Sequence, residues 1–211
     1  MFEDLIWSHG STNVYQFDFD WKFGGNPHDR FHSPYLSESE NAFAASISSE
    51  ALRWRFVARR SMVRHLVSRY LSCEEVSVDF RTSESGKPYV AGYPIQFSTS
   101  SSGQYGLVGI SIEAEIGVDI QKNEERLVDS KFEYFNDSER EAVSADMNPS
   151  EQFFRIWARK EACIKATGDG LKYDIRSLDV LSDFVEMPEP IQIWDLPVPE
   201  GYSAALAMVL T

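Results

Sequence analysis

The sequence predicts an α+β fold: a pseudo-dimer of two similar halves, each a long helix packed on a small antiparallel sheet, with a ligand site in the cleft between them. Residues 49–71 and 150–167 each repeat apolar side chains at helical spacing, and each is followed by about three runs of strand character, at 76–112 and 178–210. With 211 residues, 43% of them hydrophobic, the chain can bury a core as one domain or as two halves. We set the halves at 1–113 and 114–211.

The elements follow in chain order. Val14 to Asp20 alternates apolar and polar residues and predicts a half-buried strand, while Asn26 to Ser39, rich in Pro, Ser, His and Asp, reads as a loop. The first long helix carries Leu52, Phe56, Val57, Met62, Val63, Leu66, Val67 and Tyr70, with Ser48 or Ser49 as its N-cap. Val76–Phe80 predicts a strand, Ser83–Pro88 a turn and Ile95–Thr99 another strand. Tyr105–Ile112 and Ile116–Ile120 read as a hairpin about Glu113-Ala114-Glu115, the second half opening near Gly117. Glu139–Ala145 predicts a short helix. The second long helix is capped by Ser150, carries Phe153, Phe154, Trp157, Ala158 and Ile164, and ends at Gly168 or Gly170. Leu178–Val185, Ile191–Asp195 and Tyr202–Leu210 complete the strands.

The formal net charge is −13 and the sequence pI about 4.7. A nucleic-acid or anionic-membrane surface would be basic, so both partner classes are excluded. No apolar run is long enough for a bilayer, and Glu3 and Asp4 stand where a secretory leader carries lysine or arginine. Cys73 and Cys163, lacking a CxxC or His companion, read as reduced thiols of a cytoplasmic protein without zinc. The charge is uneven, however. Six arginines (53, 55, 59, 60, 64, 69) fall between residues 53 and 69 with no acid among them, and Arg155, Arg159, Lys160 and Lys165 surround Glu161. These are two solvated helix faces or one local positive site.

The most informative segment is Ile116-Gly117-Val118-Asp119-Ile120 followed by Trp157-Ala158-Arg159-Lys160-Glu161-Ala162-Cys163-Ile164-Lys165. Asp119 either faces solvent on an alternating strand or is buried, where its charge needs a cation or donors. Glu161 and Lys165, taken alone, are an i, i+4 salt bridge. Together, a GVD strand and W-x-x-K-E-x-x-x-K resemble the signature of the 4′-phosphopantetheinyl transferase superfamily. Gly86-Lys87-Pro88 resembles its GKP turn. Phe97-Ser98-Thr99-Ser100-Ser101-Ser102-Gly103 takes the place of F-N-x-S-H-S-G. Arg55-Phe56-Val57-Ala58-Arg59-Arg60 with Arg64 resembles its arginine helix. The likeness spans roughly residues 36–171 and is strongest to the two-domain, surfactin-synthetase-activating branch.

That resemblance implies a magnesium-dependent transferase that moves the phosphopantetheine arm of coenzyme A onto a serine of an apo acyl or peptidyl carrier protein, releasing 3′,5′-ADP. It implies Asp119 and Glu161 as Mg²⁺ ligands with Gln121 as a weak third, Glu161 as the base for the serine, and Lys165 on a phosphate. Arg55 and Lys160 would neutralise other phosphates of the coenzyme. Lys87, with Pro88, Ser100 and Ser101, would hold its nucleotide end. Glu139 matches an acidic family position, or is a helix cap. A monomer is expected.

Three departures stand out. Gln121 replaces the second acid of D-x-E, so weaker metal affinity is expected. Ser101 replaces a histidine, and Leu36–Ser49 contains no lysine or arginine where relatives have basic residues. An inactive or weak paralogue that binds carrier or coenzyme is the alternative reading. Phe132, Tyr134 and Phe135 are candidates for carrier contact or for core. Since carriers are commonly acidic, recognition through apolar contact with weak salt dependence is expected.

Overall fold

The computed structural model describes residues 3–19, 34–124, 132–168 and 174–210. In chain order the elements are β1 (Glu3–His9), β2 (Thr12–Asp18), α1 (Glu38–Ser46), α2 (Glu50–Leu71), β3 (Phe80–Thr82), β4 (Pro88–Val90), β5 (Gln96–Ser102), β6 (Tyr105–Ser111), β7 (Ile116–Lys122), α3 (Asp137–Ala145), α4 (Pro149–Thr167), β8 (Phe184–Glu186), β9 (Pro190–Asp195) and β10 (Tyr202–Val209). Two four-stranded antiparallel sheets, ordered β1-β2-β6-β5 and β7-β10-β9-β8, form the frame, with β3-β4 a separate hairpin.

Each sheet buries one face against a long helix. On α2, Ala58, Met62, Val63, Leu66 and Val67 recur three to four residues apart and meet Phe97, Val108 and Ile110 of the first sheet. Ser49 caps its start by accepting from the Leu52 amide at 3.4 Å, and Ser72 ends it at φ 54°. On α4, Ala158, Ala162 and Ala166 are fully buried at i, i+4, i+8 and share a core with Ala205 and Ala207 of β10. Small residues on this face let helix and sheet approach closely. Val14, Leu107, Ile116, Val118, Ile120 and Leu206 form a third cluster where the sheets meet.

Several expectations are corrected. β6 and β7 do not form a hairpin: β6 is flanked by β2 and β5, and β7 pairs with β10, so residues 113–115 cross between sheets. β-branched runs on either side of a short polar link carry no information about which edges are already taken. The expected strand at 76–80 is a 3₁₀ turn at Glu75–Ser77, with β3 starting only at Phe80, and 178–185 contributes only the start of β8. Asn148, not Ser150, precedes the first turn of α4, and Pro149 occupies that turn, where a missing amide costs nothing. β1 and α1 were not foreseen. α1 buries only Ala44 and depends on a Ser37–Glu40 capping box rather than on an apolar stripe. Phe135 is fully buried and Phe132 packs against the same core, so of the three aromatics proposed for carrier contact only Tyr134, 40% exposed, presents a surface.

Cys73 is exposed and Cys163 lies in the core, where burial pushes its thiol up to about 12. Among the described residues no helix is long and apolar enough to cross a membrane.

Candidate active site

The site lies where β5, β7 and α4 meet. Strand alternation divides the Phe97–Ser102 run into two faces. Ser98, Ser100 and Ser102 turn toward β7. Their hydroxyls accept the Val118 amide at 3.0 Å, donate to Asp119 Oδ1 at 2.7 Å, and accept the Lys122 amide at 2.9 Å. Three serines at period two therefore stitch the first sheet to the first strand of the second. Phe97 belongs instead to the α2 core, on the opposite face.

Gly117 sets the distance between β7 and α4. A Cβ there would fall 2.0 Å from the Ala162 carbonyl oxygen and 2.5 Å from the Ala166 amide nitrogen, both backbone atoms, so no other residue fits. This contact brings Lys165 over Asp119. The Asp119 side chain is 3% exposed. Oδ1 accepts from Lys165 Nζ at 2.6 Å as well as from Ser100, and Oδ2 accepts from the Gln121 amide nitrogen at 2.6 Å. Lys165 Nζ also donates to the Val118 carbonyl at 3.2 Å. Asp119 is thus a buried, paired carboxylate and not a solvent-facing strand residue. Glu161, half-buried, sits one turn before Lys165 on α4.

A cavity of about 270 Å³ opens beside this pair, lined by Lys165, Gly86, Lys87, Pro88, Ser98 and Thr99 among others. Lys87 spans it: Nζ donates to the Ala166 carbonyl at 2.7 Å and pairs with Glu115, tying the β3–β4 turn to the end of α4. Gly168 closes that helix at φ 73°, where a Cβ would press within 3.0 Å of the Lys87 side chain.

Other predicted site residues lie elsewhere. Lys160 is fully buried. Its ammonium donates to the Ile175 carbonyl at 2.9 Å, to the Leu178 carbonyl, and to Glu139 at 2.8 Å. Glu139, also fully buried, accepts from the Val180 amide and closes a capping box with Asn136 at the start of α3. Burial raises the Glu139 pKa despite Lys160, and lowers that of Lys160 despite Glu139. Arg159 is 2% exposed and held by Asp195 and Asp183, with Arg155 on the same Asp195. The basic group around Glu161 is therefore not one positive site: of its four cations, only Lys165 reaches Asp119. Arg55 stacks over Phe19 at 4.0 Å and donates to the Gly103 carbonyl at 2.6 Å, near the β5–β6 turn that Ser101 precedes.

The donor set fits a hard divalent cation. Asp119 and Glu161 offer carboxylate oxygens from facing elements, and Mg²⁺ commonly takes one or two carboxylates and fills the remainder with water and phosphate oxygens. No group of three His, Cys, Asp or Glu side chains occurs among the described residues. Gln121 currently turns its amide nitrogen to Asp119, so it would ligate only after that amide rotates.

The profile of the 4′-phosphopantetheinyl transferase superfamily matches residues 115–194, the stretch that holds β7, α4 and their junction. Over that stretch the chain is similar to this superfamily. A Synechocystis sp. relative, slr0495, is 31% identical over 64% of this chain and 58% of its own. The 4′-phosphopantetheinyl transferase psf-1 of Bacillus pumilus is 30% identical over 64% and 61%. The 4′-phosphopantetheinyl transferase Sfp of Bacillus subtilis is 27% identical over 69% of each. The chain spans about three fifths of the length of the first two. The serine ladder is the feature the sequence signals least: Ser100, expected at the nucleotide, is engaged with Asp119, and only the period-two spacing of the serines could have signalled it.

Proposed function

We propose that the chain transfers the 4′-phosphopantetheine of coenzyme A to a serine of an apo acyl or peptidyl carrier protein. It does so as a cytoplasmic monomer, and as a pseudo-dimer of halves 1–113 and 114–211 with the coenzyme in the cleft between them. The observation that carries this is the Asp119–Lys165 pair, buried on one side and open to the cavity on the other, with Glu161 one turn away.

The serine oxygen attacks the phosphorus bearing the pantetheine arm. A new P–O bond forms, the pyrophosphate P–O bond breaks, and 3′,5′-ADP departs. Glu161 takes the serine proton. Lys165 can turn from Asp119 to a phosphate oxygen as a point charge and so stabilise the negative charge that builds there. Asp119 and Glu161 would hold Mg²⁺, which when bound supplies Lewis-acid neutralisation of the pyrophosphate. Ser100 keeps Asp119 oriented. We read Lys160 as structural, because its three acceptors leave its ammonium no path to a coenzyme phosphate.

The test combines the chain with coenzyme A, Mg²⁺ and an apo carrier, and reads carrier mass and nucleotide. Transfer gives a carrier mass gain with equimolar 3′,5′-ADP. Nucleotide without a mass gain would indicate a pyrophosphate hydrolase, and neither product would indicate a binding paralogue. Gln121→Glu should lower the Mg²⁺ concentration that half-saturates the thermal-shift response, and an unchanged value would remove Gln121 from the metal site.

A further inference from the structure

Strands β5 and β7 are edges of different sheets, and among the described residues no backbone ladder fixes one against the other. The junction rests on side chains: Ser98, Ser100 and Ser102 of β5 reach the Val118 amide, Asp119 and the Lys122 amide in turn. Ser100 therefore stands where the ties on either side of it place it. The Ser98 end is anchored, because its neighbour Phe97 is buried in the α2 core. The other end is the tip of the β5–β6 hairpin, where Gly103 and Gln104 are exposed and the turn has few contacts of its own to hold it.

Two side chains grip that tip. Arg55 holds the Gly103 carbonyl from the first half. Tyr202, the first residue of β10, closes over it from the second. The Tyr202 Oη accepts the Gln104 amide at 3.0 Å, and its ring meets Tyr105 edge-on at 5.0 Å. Gly103, at φ 51°, lies so close beneath that a Cβ there would fall 2.4 Å from Oη. On β10, Tyr202 pairs with Lys122 and Ala205 with Asp119, so Tyr202 lies three residues, or about 10 Å, along the sheet from the level of the carboxylate.

We infer that Tyr202 is a positioning residue for the active site: it fixes the hairpin tip against the second sheet, and so keeps Ser100 on Asp119 and the carboxylate in the orientation a divalent cation requires. This rests on the transfer reading, which puts Mg²⁺ at Asp119.

The experiment titrates Mg²⁺ alone into the chain, without coenzyme or carrier, and reads the concentration that half-saturates the thermal-shift response. Tyr202→Ala should raise that concentration by about 3- to 10-fold, the scale of one lost hydrogen bond at the ligand. Tyr202→Phe, which keeps the ring and loses only the acceptor for Gln104, should show part of the rise. Ser100→Ala should raise it as well, and in that background Tyr202→Ala should add less than about 2-fold, because both changes remove the same tie. A residue that merely stabilises the fold would lower Tm and leave the half-saturating concentration alone. That outcome, equal fold-changes in the two backgrounds, or a wild-type chain that does not respond to Mg²⁺ would overturn the inference. Should Tyr202→Ala fail to fold, Tyr202→Phe with and without Ser100→Ala decides the same comparison. A chain whose Mg²⁺ response depends on Tyr202 through Ser100 yet modifies no carrier would defeat the transfer reading and leave Tyr202 standing.

Discussion

Helix α4 carries two lysines five residues apart, each paired to a carboxylate on another element, and the pairs have opposite characters. Lys160 and Glu139 are both 0% exposed, and two backbone carbonyls and two amides complete their hydrogen bonding. Lys165 is 30% exposed against an Asp119 at 3%, and the pair borders a cavity. A closed pair of this kind fixes structure, because neither charge can leave without stranding the other. An open pair can exchange its partner for a ligand, which is what a phosphate-binding lysine requires.

The sharpest way to break this contrast is to cut the closed pair. Lys160→Ala leaves Glu139 buried without its cation and should cost about 3–5 kcal/mol in urea unfolding. Lys160→Met with Glu139→Gln, which keeps an acceptor for the Asn136 and Val180 amides, should recover a large part of that loss. If Lys160→Ala instead folds normally and loses only activity, the pair is not structural.

Cutting the open pair should do the reverse. Lys165→Ala is expected to lower kcat/KM by about 10²- to 10³-fold, the scale of a lost transition-state donor. Its stability should change by less than about 1 kcal/mol, because Asp119 keeps Ser100 and Gln121 as donors. Between these extremes lies Gly117→Ala. Its methyl group meets the backbone of α4 and forces helix and strand apart, which should cost about 1–3 kcal/mol as overpacking. Activity should fall further than stability alone explains, since the same displacement separates Lys165 from Asp119; a fall in Tm with kcat unchanged would refute this.

These contrasts also mark what the sequence discloses. The long helices, the β5 core strand and the β9 and β10 strands were legible because apolar periodicity over many residues is set by the core they face. The order of Asp119, Glu161 and Lys165 singled them out as the candidate site, and the structure pairs Lys165 with Asp119. What could not be read was the direction each side chain takes. Lys160 and Lys165 occupy one motif, but five residues turn a helix through more than one revolution, so one lysine enters the core and the other reaches β7. Ser100 and Ser101, adjacent on a strand, necessarily face opposite ways. β1 and α1 stayed hidden because one is an edge strand with Leu5 55% exposed and the other buries a single alanine, so neither leaves a periodic trace.

A third α4 cation gives the smallest and most discriminating effect. Arg159 binds Asp195, whose carboxyl is held below the usual carboxylate range: burial alone would raise it, but the hydrogen bonds and charges of Arg159 and Arg155 outweigh burial. A carboxylate depressed in the folded state contributes stability above its unfolded pKa of about 4, and that contribution fades as pH falls through the depressed value. Asp195 is 38% exposed and therefore screened, so its share should be no more than about 1 kcal/mol. Asp195→Asn should lower stability at pH 7 by that amount and flatten the acid limb of the stability curve below about pH 4. Activity above pH 5 should be unchanged once stability is matched, because Asp195, although only one strand removed from Asp119 across β10, is engaged by Arg155 and Arg159 and does not line the cavity. A loss of kcat there would mean that the basic group of α4 acts as a unit after all, and the division between closed and open pairs would have to be redrawn.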